Sequence, residues 1–159
     1  MFRPMRRCEQ QLELNECIEI LKAEPRGVLS LLGDNGYPYG IPMDHWYCEQ
    51  DGKLYFHGAK NGHKIDSLQS CDKVSYCVYD KGFRKEGEWA LNIRSVIVFG
   101  RMHPVADIRQ AETICRCLCR KRTDRQPNAW KYPECQCKSW RCGEKGTSFA
   151  DFGSHEDGK

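Results

Sequence analysis

Lys60, His63 and Lys64 crowd into five residues, with Gly58 just before them and Gly62 among them. The run that leads in, Leu54-Tyr55-Phe56-His57, is short, apolar and aromatic, the composition of a buried strand. After Gly62 the pattern turns helical, with Ile65 and Leu68 three apart on one face. A strand, a glycine-punctuated turn, basic side chains and a helix start together make an anion cradle. The first helical turn leaves its N–H groups free, and the helix dipole adds positive potential there. Lys60 and Lys64 would add formal charge. The chemistry predicted is phosphate binding, and hence a phosphorylated cofactor or substrate. The residues alone leave a second reading open, a charged face that simply meets water. His57, at the end of the strand, is the candidate catalytic side chain, as a proton donor or substrate contact. Its other reading is a strand-end histidine bonded to backbone.

Other reactive patterns are missing. No Ser-His-Asp or Cys-His nucleophile arrangement stands out, and there is neither a Walker loop nor a Gly-x-Gly-x-x-Gly fingerprint. Hydrolytic and nucleoside-triphosphate chemistry are therefore unsupported.

The elements that must position the cradle follow in order. Asn15 can cap a helix to about Ala23, ended by Pro25 and Gly27. Val28 to Leu32 is a buried strand. Gly33-Asp34-Asn35-Gly36 is a hairpin turn, since Asn-Gly accepts positive φ at both positions. Tyr37 to Met43 returns as a strand that Pro38 and Pro42 restrict to an edge or a bulge. His45 to Glu49 and Lys53 to His57 are the third and fourth strands, and a short helix runs from Gly62 to about Ser70. Lys73 to Tyr79 alternates, with Val74, Tyr76 and Val78 on one face. Ser95 to Gly100 is the most apolar strand, and Ile108 to Leu118 reads as a helix. Many short antiparallel strands with few helices argue a mainly β fold, a small β-barrel with peripheral helices.

The chain has 159 residues, the size of one domain, and a net charge of +3. That charge is too mild to imply nucleic acid. No apolar run is long enough for a membrane span, and the basic start has no apolar stretch behind it as a secretory signal would. The expectation is a cytoplasmic protein with no nucleic-acid or membrane partner. Of the eleven cysteines, five are scattered and read as reduced, small apolar residues.

Three segments, in this order, carry a resemblance. They are Gly36-Tyr37-Pro38-Tyr39-Gly40-Ile41-Pro42-Met43, then Tyr55-Phe56-His57-Gly58-Ala59-Lys60 with Gly62-His63-Lys64, then Ser95-Val96-Ile97-Val98-Phe99-Gly100. Together they resemble the flavin-nucleotide-binding proteins of the pyridoxamine 5′-phosphate oxidase-like superfamily. The nearest branch includes the nitroimidazole-reductase (Nim) resistance proteins, and the likeness spans residues 1–118. It implies an FMN-binding split β-barrel, a homodimer with FMN in clefts between the subunits. It puts the FMN phosphate at Lys60, His63 and Lys64. Tyr39, Ile41, Pro42 and Met43 would run along the isoalloxazine ring. Backbone groups of His57, Gly58 and Ala59 would flank the ribityl chain, with Ser95 as a hydroxyl contact. The implied activity is an FMN-dependent oxidoreductase acting on a small-molecule electron acceptor of the nitroimidazole type. The alternative is a non-enzymatic flavin or haem binding or sensing module on the same fold. In either case the flavin carries the redox chemistry and the protein supplies binding and orientation. Oxidation of pyridoxamine phosphate is disfavoured, because no second phosphate site for the substrate is evident.

Residues 119–159 break the pattern, with not one Leu, Ile, Val or Met. Three readings compete. One is a metal site from Cys115, Cys117, Cys119, Cys135, Cys137 and Cys142 with His155, although Cys-x-Cys is not zinc-ribbon spacing. Another is a basic, aromatic tail that touches a partner or nucleic acid. The third, ranked first, is a shifted reading frame, which gives Cys/Arg/Trp-rich, aliphatic-poor text. The expectation is a domain over 1–118 and a poorly packed tail over 119–159.

Overall fold

The computed structural model describes residues 4–123 and 147–153, and the side chains of residues 4–117 apart from 108. Helix α1 (Leu14–Ala23) opens at Glu13, whose amide donates to the Glu16 carboxylate at 3.1 Å. The cap therefore lies two residues before Asn15, because Glu16 reaches back to it. Ile20 and Leu21 are the buried residues of α1 and join the barrel core.

Strands β1 (Arg26–Leu32) and β2 (Pro38–Cys48) form a hairpin, with Leu32 opposite Pro38 and Arg26 opposite Asp44. Its turn uses positive φ at Asn35 (56°) and Gly36 (78°), as the Asn-Gly pair predicts. β2 is one continuous strand, where the sequence reading broke it at Asp44 into two. A proline removes a ladder hydrogen bond only if a neighbour is there to accept it. β3 (Lys53–Ala59) pairs with β2 only from His45 to Cys48, so Pro38 and Pro42 lie on the stretch with no β3 beside it.

Helix α2 (His63–Ser70) follows β3. Strands β4 (Lys73–Tyr79) and β5 (Ser95–Pro104) form the next antiparallel pair, then come α3 (Ile108–Thr123) and β6 (Thr147–Gly153). The strand order is β1-β2-β3-β6-β5-β4, closed by β1 against β4. With β2 and β3 parting halfway, this is the mainly β, split-barrel architecture with peripheral helices that the sequence predicts.

Alternation places the core. Leu29, Leu31, Leu54, Phe56, Tyr76 and Val78 fill the barrel interior, each contributing about 1.5–3 kcal/mol by burial. Outside, Tyr55 and Cys48 pack with Ala111 and Ile114 of α3, beside Trp46. Burial works against the Asp51 carboxylate, but hydrogen bonds from Tyr55, Cys48 and the Lys53 amide outweigh it and hold its pKa low.

The scattered cysteines are free thiols, and Cys48 is buried. In the expected tail, β6 supplies the strand between β3 and β5, an element the sequence reading did not place. Residues 124–146 and 154–159, with Cys135, Cys137, Cys142 and His155, lie outside the described residues. Among the described residues no three metal-ligating side chains gather, and no helix is long and apolar enough to cross a membrane.

Candidate functional site

The register of β2 and β3 explains where a site opens. The last pair is His45 with Phe56. One step further Asp44 would face His57, and Met43 would face Gly58, but no ladder forms there. Instead the strands part around a cavity of ≈ 360 Å³ lined by Ile41, Pro42, Met43, Asp44 and His57, with Arg26 and Lys64. Pro42 has no N–H to offer a neighbouring strand, which suits a place where the ladder stops.

Lys64 enters this cavity from the first turn of α2. Gly62, at φ 112°, turns the chain into the helix, a conformation that glycine accepts without strain. Gly58 has no β-carbon, and the Lys64 ammonium lies where one would be. Lys64 is half-buried, and burial pushes its pKa below the ordinary lysine value. A partly desolvated ammonium gains most from an anionic partner.

Arg26, the first residue of β1, lines the same cavity. Its Nε donates to Asp44 Oδ1 at 2.7 Å, and this hydrogen bond raises the guanidinium pKa further, so it stays charged.

Behind the cavity, the Tyr76 hydroxyl donates to the Met43 carbonyl at 2.8 Å. His45 Nδ1 lies 2.9 Å from the same hydroxyl, and Nε2 lies 2.7 Å from the Leu21 carbonyl. A carbonyl can only accept, so Nε2 carries a proton. His45 is 1% exposed and is structural. Burial pushes the Tyr76 phenol far above its ordinary pKa, so it stays a neutral donor. The network fixes the backbone of Met43, which is cavity wall.

The predicted site residues divide. Ile41, Pro42, Met43, His57 and Lys64 line the cavity, with Gly58 under Lys64. His63 turns away from it. Its ring stacks on Tyr39 at 4.1 Å, and Nε2 lies 3.4 Å from Asp34 of the hairpin turn. Lys60 and Ala59 are exposed and outside the cavity wall. The backbone of His57, Gly58 and Ala59 also pairs with β6, so one edge of it is taken. Ser95 lies on β5, opposite Tyr79, and does not line the cavity.

A family comparison decides what kind of chain this is. The family model described as pyridoxamine 5′-phosphate oxidase matches residues 13–136. The chain belongs to this family.

Solved structures agree on the pyridoxamine 5′-phosphate oxidase fold. A candidate 5-nitroimidazole antibiotic resistance protein from Bacteroides thetaiotaomicron is 17% identical with a TM-score of 0.68. The match covers 89% of this chain and 80% of that one. An FAD-binding protein from Mesorhizobium loti is 25% identical with a TM-score of 0.61, covering 89% and 88%. The FAD and haem binding protein from Mycobacterium smegmatis is 15% identical with a TM-score of 0.66, covering 92% and 69%. No curated protein matches the chain.

Arg26 and Asp44 were missed as site residues of this family member. Their signal was the hairpin register. A five-residue loop centred on Asn35 sets Arg26 against Asp44. A two-residue Asn-Gly turn would slip the pairing by one and face Arg26 with His45.

Proposed function

We propose that the chain is an FMN-dependent oxidoreductase that works as a homodimer and passes electrons to a small nitroimidazole-type acceptor. The observation that carries this reading is the half-buried Lys64 ammonium, seated on Gly58 in the cavity between β2 and β3. The residues present fit the cofactor. Lys64 suits its phosphate, a β-carbon on Gly58 would close the cradle, and Ile41, Pro42 and Met43 offer an apolar wall for a flat ring.

When bound, the flavin supplies the electron transfer itself. The protein does the rest. Lys64 neutralises the phosphate, and its own partial desolvation strengthens that contact. The Tyr76 bond keeps the Met43 backbone in place against the ring. His57 stands in the cavity wall, where its imidazole can give a proton to a reduced acceptor.

The homodimer is supported by the outer face of the sheet. Ile97 and Phe99 of β5 are 57% and 47% exposed, beside the exposed Tyr79 of β4. Apolar side chains in a patch of this kind mark an interaction surface. Ser95 projects on that same face, which brings the expected hydroxyl contact into play only across an interface. The nitroimidazole acceptor rests on the likeness to the Bacteroides thetaiotaomicron protein.

Purification tests the reading. The expected protein is yellow, releases FMN on denaturation, is bleached by NADPH and is re-oxidised by a nitroimidazole. Released FAD would correct the cofactor. A protein that takes up no flavin would overturn the reading. A flavin that no acceptor re-oxidises would favour a non-enzymatic binder.

A further inference from the structure

Two cations line one cavity, Lys64 from α2 and Arg26 from β1. Only one carboxylate, Asp44, is among the lining residues, so Arg26, Lys64 and Asp44 together leave an excess of positive charge. Asp44 takes the Arg26 Nε, so what Arg26 still offers the cavity is its pair of Nη donors.

The Arg26–Asp44 pair is not explained by stability. The Arg26 side chain is 64% exposed, and an ion pair with one partner in water stabilises a fold little. Its geometry is more telling. Asp44 is only 12% exposed and takes the Nε proton at 2.7 Å. That contact uses one of five guanidinium donors and holds the plane of the group. The Nη donors remain, in the fork that matches a carboxylate or phosphate.

We propose that Arg26 is a second anion anchor, which holds the acid group of a small aromatic substrate while Asp44 orients the guanidinium. This deepens the flavin reading and rests on Lys64 as the phosphate holder. The preferred acceptor is then a nitroaromatic acid rather than a neutral nitroarene.

Calorimetric titration of the purified protein with benzoate, phenyl phosphate and benzyl alcohol tests this. The wild type is expected to bind the anions and not the alcohol, and the tighter anion identifies the acid group. Arg26→Gln should weaken both anions by at least about tenfold, the loss of a charge-assisted bidentate contact. Arg26→Lys, which keeps the charge without the fork, should fall between. In both variants FMN affinity should fall by less than anion affinity does. Equal anion binding by wild type and Arg26→Gln overturns the proposal, and so does a wild type that binds neither anion. Loss of FMN together with the anions would assign Arg26 to the flavin and overturn it as well. A wild type that binds benzoate through Arg26 but never takes up flavin supports the anchor and sinks the flavin reading alone.

Discussion

The Lys64 ammonium fills the space that a β-carbon on Gly58 would occupy. One residue thus makes room for another across a turn, and the pairing gives a specific expectation. Gly58→Ala should push Lys64 out of the cavity at little cost to folding, because only the far end of a flexible side chain must move. FMN affinity should fall about tenfold or more, the scale of a lost charged contact. Riboflavin, which has no phosphate, should bind as before. Fluorescence quenching titrations with both ligands decide the matter, and equal weakening of the two would remove Lys64 from the phosphate.

Lys64 also sets a pH dependence. Burial lowers its pKa from 10.5. An anion needs the charged ammonium, so FMN affinity should fall as pH rises through the lowered value. Stability should move the other way. Between the lowered value and 10.5 the unfolded chain binds more protons than the folded one, so stability rises with pH there. Titrations at rising pH, kept below 10.5, should show the affinity loss in wild type and not in Lys64→Met.

Gly27 tolerates no side chain for a different reason. A methyl there would lie 2.7 Å from Cζ and 2.9 Å from the hydroxyl of Tyr76, and would strike the Cys77 carbonyl. Neither a packed ring nor a strand backbone can swing away. Gly27→Ala should cost about 3 kcal/mol, the upper range for overpacking. Urea denaturation measures it, and a change below about 1 kcal/mol would show that the barrel yields there.

Removing the Tyr76 hydroxyl takes away the donor to the buried Met43 carbonyl. Tyr76→Phe should cost about 1–3 kcal/mol, the usual penalty for stranding a buried partner. FMN should also bind less tightly, since Met43 is cavity wall. Thermal melts and flavin titration on the same sample check both effects. A stability loss with no change in flavin affinity would separate this network from the site.

Ile97 sits on the outside of β5 at 57% exposure. Ile97→Glu should leave the monomer folded and break the dimer, with loss of bound flavin if the cofactor lies between subunits. Light scattering and the visible absorbance of the flavin report the two outcomes. A variant that remains dimeric and yellow would move the interface elsewhere.

Much of the barrel was legible because alternation and turn chemistry are local. Asn35 and Gly36 announced their positive φ, and Val74, Tyr76 and Val78 announced a buried face. The cavity itself was only half legible. Gly58, Gly62 and Lys64 are close in sequence, so their cradle could be read directly. Arg26 and Asp44 are joined by strand register, which depends on a loop of five residues rather than two. His63 lies beside Lys64 in sequence yet serves the hairpin turn, because successive helical side chains point about 100° apart. β6 carries none of the aliphatic signal by which strands are recognised.

β3 reaches its second neighbour late. Its upper half, His57 to Ala59, pairs with Thr147 to Phe149. On a ribosome adding about 5–20 residues per second, the roughly 90 intervening residues take several seconds to appear. Throughout that interval β3 is an open edge, able to recruit strands from neighbouring chains. A chaperone that covers this edge during synthesis is expected to raise the yield of folded protein.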